Sequence, residues 1–146
     1  MEVDTRVTLV GETQFKGTGH TPHEVRIDYL PPHGQDDGFM STELLLLSLA
    51  GCSAQTVLAV LRKRRKTVSA FEVRASGTRR DEHPTVFTNI RLEYRLRGKG
   101  LDRASVEKAI RMSEEKYCPV WAMLKDRVEM TWSCSVEADG VGEETT

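Results

Sequence analysis

A chain of 146 residues and 16.4 kDa fits one domain of ordinary size. Its 21 Lys and Arg residues nearly balance its 22 Asp and Glu residues, so it lacks the positive field that nucleic-acid-binding proteins use. Residues 1–6 are charged and do not resemble a signal peptide, and the longest apolar run, 44–47, is too short to span a bilayer. We therefore expect one soluble cytoplasmic domain over residues 1–146, without membrane or nucleic-acid partners.

The first part of the chain predicts a small antiparallel sheet. Residues 3–10 and 24–30 alternate apolar and polar side chains with a period of two, which is typical of half-buried strands. The pattern leaves a third strand in this region open. The breaker residues of 31–37 predict a loop after these strands.

Residues 41–66 predict a long helix. Ser41 or Thr42 is suited to cap it, Glu43 lies in the first turn, and the basic residues 62–66 lie in the last turns, so the charges at both ends favour the helix dipole. Apolar residues cover more than one face of the first half. We therefore expect a central helix, buried nearly all round by sheet or by another subunit.

The second half predicts further strands and helices. In order, we expect a hairpin of strands 69–79 and 86–98 with a turn at 81–84, a helix capped by Asp102 and running to Tyr117, a helical turn 119–125, a strand 127–137 and a frayed tail 138–146. This order contains no βαβ repeats. It predicts an α+β fold with mostly antiparallel sheet rather than a doubly wound nucleotide-binding fold.

Three cysteines are an odd number in a chain without an export signal, which indicates reduced thiols. Cys52 lies within the apolar helix, a position that is more typical of packing than of chemistry unless a cation or donor from elsewhere stabilises its thiolate. Cys118 precedes Pro119 at a predicted helix start, where unpaired N–H groups and the dipole favour a thiolate, although a buried thiol is equally consistent. Cys134 lies on the apolar face of the last predicted strand, a position that indicates a residue of the hydrophobic core. The cysteines and histidines lack the paired spacing of a zinc site, so no metal is expected.

Two segments resemble the OsmC/Ohr family. They are residues 38–54, which contain Glu43, the run of four leucines 44–47 and Ala50-Gly51-Cys52, and the later Tyr117-Cys118-Pro119-Val120. The resemblance covers almost the whole chain, and it implies sheets wrapped around two central helices in an intertwined homodimer with active sites at the subunit interface. It also implies a thiol peroxidase for organic hydroperoxides in oxidative-stress defence, without a cofactor.

By this resemblance, Cys52 is the nucleophile and Cys118 the resolving thiol. A Cys52–Cys118 disulfide would then be reduced by an external dithiol such as a lipoylated protein. A non-enzymatic role in small-molecule binding or redox sensing is the alternative.

Other residues have open roles. Glu43 is either a catalytic orienter or only a charge at the helix N-terminus. The peroxidases carry a proline where Ser41 stands, and no arginine occurs in residues 15–20, which leaves Lys16, His20 and Arg26 as candidates to stabilise the thiolate. The predicted walls of the substrate pocket are Phe39, Met40, Trp121 and Met123.

Overall fold

The computed structural model describes residues 1–139. They form two compact units, Met1–Leu45 and the part that begins at Leu46. The elements are β1 (Arg6–Leu9), β2 (Phe15–Thr18), β3 (Glu24–Ile27), α1 (Ser41–Lys63), β4 (Ala70–Arg79), β5 (Phe87–Gly98), α2 (Arg103–Met112), a π-helical turn (Ser113–Tyr117), α3 (Pro119–Leu124) and β6 (Glu129–Ala138). The α+β class is confirmed, whereas a single domain over residues 1–146 stays a prediction.

The first unit contains an antiparallel sheet in the order β1-β2-β3. The sequence pattern did not identify β2, because its four residues include Lys16 and Gly17 and carry little apolar alternation. Val25 and Ile27 of β3 are half-buried as expected. The predicted strand over 3–10 is confirmed as β1, but its expected half-burial was wrong, since every residue of this strand is exposed within the chain.

The predicted loop over 31–37 is held by the buried carboxylate of Asp28. It accepts hydrogen bonds from the Thr13 hydroxyl at 2.7 Å and the Gln14 amide at 3.1 Å. The backbone N–H groups of Gln35 and Asp37 donate to it at 3.0 and 3.1 Å. The Thr13 bond, followed by these other bonds, holds the pKa of Asp28 well below its usual range despite burial.

Helix α1 is close to its predicted extent. Glu43 Oε1 accepts the N–H of Met40 at 3.0 Å, so the first turn is capped by this carboxylate. The helix ends before Arg65, whose φ of 62° is left-handed. We expected the first half of α1 to be buried nearly all round. The chain by itself does not bury it in this way, since Leu47 is 51% exposed.

Helix α1 is also long and apolar enough, by length and composition, to cross a membrane. The sequence expectation considered only the consecutive apolar run of residues 44–47 and therefore missed this property. Core helices of globular proteins share it, and in the second unit Leu49, Val57 and Leu61 of α1 are fully buried.

The second unit contains a sheet in the order β4-β5-β6. The predicted hairpin is confirmed, with Val73 opposite Tyr94 in antiparallel register. Strand β6 pairs in parallel with β5, with Cys134 opposite Tyr94. Helices α2 and α3 thus form one βαβ crossover, which the expected element order did not include. The core contains Leu49, Val57, Leu61, Ile90, Leu92, Tyr94, Leu96, Val106, Ile110, Cys118, Trp121 and Cys134.

The C-terminal elements differ from expectation at two places. Asp102 caps α2 as predicted, accepting the Ser105 N–H at 3.0 Å, but the α-helix ends at Met112 and a π-helical turn follows. Part of the predicted frayed tail is ordered, since Ala138 belongs to β6 and the Asp139 N–H donates to the Gly98 carbonyl at 3.1 Å. The remainder of that tail, residues 140–146, lies outside the described residues.

Candidate functional site

Cys52 lies in the middle of α1, at the edge of the helix face that enters the core. Its neighbours Leu49 and Ser53 are buried, whereas Gly51 is exposed. The Cys52 side chain itself is half-buried. It is therefore within reach of a molecule that approaches the second unit from outside.

Cys118 lies at the junction between the π-helical turn and α3. Its extended backbone makes it the N-cap of α3, and its Sγ accepts the Trp121 N–H at 3.4 Å. Pro119 occupies the first helical position, where no N–H is needed. The predicted contact of this sulfur with N–H groups at the helix start is thus confirmed.

The two cysteines are brought together although 66 positions separate them (118 − 52). The Cys52 thiol lies close enough to Cys118 to raise the pKa of that thiol, and both cysteines are free. One of the pair is half-buried and the other is buried. This combination places an accessible sulfur directly beside a protected one.

The thiol of Cys118 is protonated at neutral pH. Burial raises its pKa to about 11, the N–H of Trp121 opposes this shift, and the neighbouring Cys52 adds to it. The expectation that the local setting favours a thiolate was therefore wrong for Cys118. Desolvation outweighs the helix start, because the sulfur is enclosed by the core as well as by N–H groups.

Buried hydroxyl groups surround the pair, and the sequence analysis did not identify them. Ser53 Oγ and Tyr94 Oη are 2.5 Å apart, and Tyr94 contacts Trp132 edge to face with ring centroids at 6.3 Å. Burial raises the pKa of Tyr94 to about 12, with the Ser53 bond acting against it. The Thr56 hydroxyl hydrogen-bonds Ser113. Only the position of Ser53 and Thr56 on the cysteine-bearing helix was available as a signal.

An open cavity of about 640 Å³ lies in the second unit beside the cysteine-bearing segments. Thr56, one turn after Cys52, and Tyr117, which precedes Cys118, both line it. Its remaining lining is Ala59, Val60, Lys63, Arg64 and Met112, which is largely apolar with two cations. The arrangement suits a molecule with an alkyl portion.

None of the predicted pocket walls lines this cavity. Trp121 is buried in the core, and Met123 is 70% exposed. Phe39 and Met40 belong to the first unit, where the backbone N–H of Phe39 donates to the carbonyl of Arg26 at 2.8 Å. A substrate-binding role for these four residues stays a prediction.

The other predicted site residues are in the first unit and have local partners. Lys16 pairs with Glu24 at 3.6 Å, and Arg26 pairs with Asp37 at 2.9 Å. Glu43 caps α1, as its alternative interpretation anticipated, and His20 is exposed. Roles for these residues in stabilising a thiolate also stay predictions.

Cys134 is buried in β6, as the sequence indicated. Burial raises the pKa of this thiol, and nearby Arg103 acts in the opposite direction. Within residues 1–139, no three His, Cys, Asp or Glu side chains are grouped to hold a metal ion.

One family model and several known proteins match this chain. The model of the family described as "OsmC: OsmC-like protein" matches residues 34–133. Protein YhfA of Escherichia coli K12 is 35% identical over 136 residues, which cover 93% of this chain and 99% of YhfA. A crystal structure of a hypothetical protein from Aquifex aeolicus VF5 is 27% identical, with a TM-score of 0.85 over 95% of this chain and 98% of that one.

The fold is shared more widely. A crystal structure described as an organic hydroperoxide resistance protein from Legionella pneumophila is 14% identical, with a TM-score of 0.68 over 93% of this chain and 98% of that chain. At this identity the comparison concerns the fold alone.

Proposed function

The chain belongs to the OsmC family, and from that premise we propose that it is a cysteine-based reductase of organic hydroperoxides in oxidative-stress defence. Cys52 is the nucleophile and Cys118 the resolving thiol. The adjacency of these two free thiols, one half-buried and one buried, carries the proposal. The organic hydroperoxide resistance protein that shares the fold supports the substrate class.

The exposure of the two sulfurs sets the order of the steps. The thiolate of Cys52 attacks the terminal oxygen of the hydroperoxide, the O–O bond breaks, and the alcohol leaves after taking up a proton. Cys52 is then a sulfenic acid. The Cys118 sulfur attacks the Cys52 sulfur, the S–O bond breaks, and the hydroxide leaves as water with the proton from Cys118. The buried sulfur is protected from the substrate and reacts only with its neighbour.

The disulfide must be reduced to complete a cycle. Thiol–disulfide exchange with a dithiol, such as a lipoylated protein, transfers two electrons and returns both cysteines as thiols. The three free cysteines are consistent with a reducing compartment and hence with a cytoplasmic location.

The cavity that Thr56 and Tyr117 line, near the cysteine-bearing segments, supports an alkyl hydroperoxide as substrate. Its apolar walls, which include Ala59, Val60 and Met112, provide a surface for hydrocarbon. Hydrogen peroxide has no apolar portion and gains nothing from these walls. We therefore expect cumene hydroperoxide to react faster than hydrogen peroxide.

A redox-sensing or binding role is the second candidate. The raised pKa of Cys118 favours it, because a protonated resolving thiol slows the closure of the disulfide. In that case the protein would be oxidised once by a hydroperoxide, or would bind a ligand without turnover.

Intact mass and free-thiol counts before and after one equivalent of cumene hydroperoxide test the proposal. The expected result is a loss of two hydrogens, with the Cys52–Cys118 cross-link found by peptide mapping. Cys52→Ser should abolish peroxide consumption, whereas Cys134→Ser, the matched control, should retain it. Three unchanged thiols in the wild type would refute the peroxidase.

Steady-state consumption with a dithiol reductant separates the two candidates. Repeated turnover supports the reductase, and a single oxidation without turnover supports the sensor. Substituting Glu43→Gln in the same assay tests whether this carboxylate orients the reaction or only caps α1.

A further inference from the structure

The chain enters Cys118 through a π-helical turn. The Cys118 N–H donates to the Ser113 carbonyl, five residues earlier, at 2.8 Å. Such turns are rare and often occur at functional sites. The position of Cys118 is therefore tied to the backbone of Ser113.

Ser113 also contacts α1 through its side chain. It is only 1% exposed, and its hydroxyl hydrogen-bonds the hydroxyl of Thr56. Thr56 Oγ1 in turn lies 3.1 Å from the carbonyl oxygens of Cys52 and Ser53. Because a hydroxyl carries a single hydrogen, Thr56 donates to these carbonyls and accepts from Ser113.

These bonds form a continuous path between the two cysteines. It runs from the Cys118 N–H to the Ser113 carbonyl, from the Ser113 hydroxyl to Thr56, and from Thr56 to the Cys52 carbonyl. We propose that Thr56 and Ser113 are positioning residues that hold Cys118 against Cys52 during disulfide formation. This role rests on the proposed function.

The geometry of a disulfide explains why such residues are needed. The bond forms only within a narrow range of Cα separations and dihedral angles. Holding two reacting groups in the required geometry raises their effective concentration by orders of magnitude. Thr56 and Ser113 are part of no reacting bond, and we expect their positioning effect at the attack of Cys118 on the Cys52 sulfenic acid. Ser113 does not line the cavity, so it isolates this step from the first attack on the hydroperoxide.

The kinetic test separates these two steps. Ser113→Ala and Thr56→Val are mixed with one equivalent of cumene hydroperoxide, and the Cys52 sulfenic acid is trapped with dimedone at increasing times. We expect an approximately tenfold slower disulfide step in both variants. Formation of the sulfenic acid should be unchanged in Ser113→Ala, because Ser113 does not line the cavity. Thr56→Ser retains the hydroxyl and should restore the wild-type rate.

Ser105→Ala provides the matched control. It removes the exposed hydrogen bond that the Ser105 hydroxyl donates to Asp102 at 2.7 Å. This bond lies at the start of α2, away from both cysteines. If this variant slows the disulfide step as much as Ser113→Ala does, general loss of helix stability explains the effect and the proposal is overturned. Circular dichroism and thermal melting establish that each variant is folded.

A second measurement needs no hydroperoxide. The wild type and the variants are equilibrated with glutathione redox buffers, and the fraction of Cys52–Cys118 disulfide is measured. We expect the disulfide equilibrium constant to fall about tenfold in Ser113→Ala, equivalent to a reduction potential about 30 mV less negative. If the disulfide equilibrium constants of both Ser113→Ala and Thr56→Val equalled that of the wild type, the positioning role would be overturned.

The two measurements distinguish the failure of each proposal. If the wild type does not react with hydroperoxide but the glutathione equilibrium still depends on Ser113, the peroxidase fails and the positioning role stands. If the wild type forms the disulfide with hydroperoxide and neither variant changes its rate or equilibrium, the positioning role fails and the peroxidase stands.

Discussion

Two opposing effects act on the thiol of Cys118. The helix start donates the Trp121 N–H to the sulfur, which favours the thiolate, while burial favours the thiol. Burial is the larger effect and raises the pKa to about 11. A sequence motif such as Cys-Pro shows the helix start but not the enclosure, so local reasoning identifies the residue and misjudges its protonation.

The protonation of Cys118 predicts a distinct pH dependence. In a Cys52→Ser, Cys134→Ser protein, the carbon-13 shift of Cys118 Cβ should stay at its thiol value up to pH 9, because burial remains the main cause of the raised pKa. An ordinary thiol, with a pKa of about 8.5, is largely ionised at that pH. NMR titration of the folded and the guanidinium-unfolded protein provides the comparison. Ionisation below pH 8 in the folded protein would contradict the prediction.

The hydroxyl groups around the cysteines show what sequence reasoning misses at this scale. Ser53 meets Tyr94 across 41 positions, and Thr56 meets Ser113 across 57 positions. Serine and threonine occur throughout the chain, and nothing local distinguishes the ones that meet. Cys52 and Cys118 were identifiable because the combination of their two motifs resembles the OsmC/Ohr family.

At the scale of elements, strong patterns gave reliable predictions. The α1 helix, the β4–β5 hairpin and the alternation of β6 were recognised because long apolar periodicities determine which face is buried. Strand β2 was missed because four residues carry too little pattern. The parallel pairing of β5 with β6 depends on the path of α2 and α3, which periodicity does not describe.

The loop after β3 depends on one carboxylate, which predicts an effect of Asp28→Asn. The amide cannot accept all the hydrogen bonds that the carboxylate accepts, so we expect the melting temperature to fall by several degrees at pH 7. Because the pKa of Asp28 is lowered in the folded state, its stabilisation is present above about pH 4 and is lost as the pH falls towards the folded-state pKa.

Thermal melts between pH 7 and pH 2 measure this effect. The difference in melting temperature between the wild type and Asp28→Asn should become smaller as the pH falls below about 4. Asp36→Asn, an exposed substitution in the same loop, is the matched control and should leave the melting temperature nearly unchanged. If this difference in melting temperature became larger as the pH fell, the carboxylate would not stabilise the loop.

At the scale of the whole molecule, α1 leaves an apolar surface uncovered by its own chain. The surface follows one helix face and consists of Leu47, Gly51, Ala54 and Leu58. A Cβ atom added to Gly51 would meet no atom within 4 Å in the chain. Exposed apolar faces of this kind mark association surfaces, and we propose that a second copy of the chain covers this one in a homodimer.

The homodimer predicts the effect of a charge on this surface. Leu47→Glu should convert a dimer of about twice 16.4 kDa into a monomer, because a carboxylate cannot be buried at an apolar interface without a partner. Light scattering measures the mass. Val86→Glu, which replaces a side chain of similar exposure in the hairpin, is the matched control and should stay dimeric. A wild-type mass of one chain would disprove the association.

The sequence by itself determined the α+β class and most helices and strands, because these follow from periodicity. It pointed to the two cysteines through the resemblance of their combined motifs to one family. Only the tertiary structure decided that Cys52 and Cys118 meet, that Cys118 is protonated, and that Ser113 and Thr56 connect them. These properties depend on contacts between distant segments and on the exclusion of water. Desolvation and long-range packing are set by the folded chain as a whole, and no local pattern contains them.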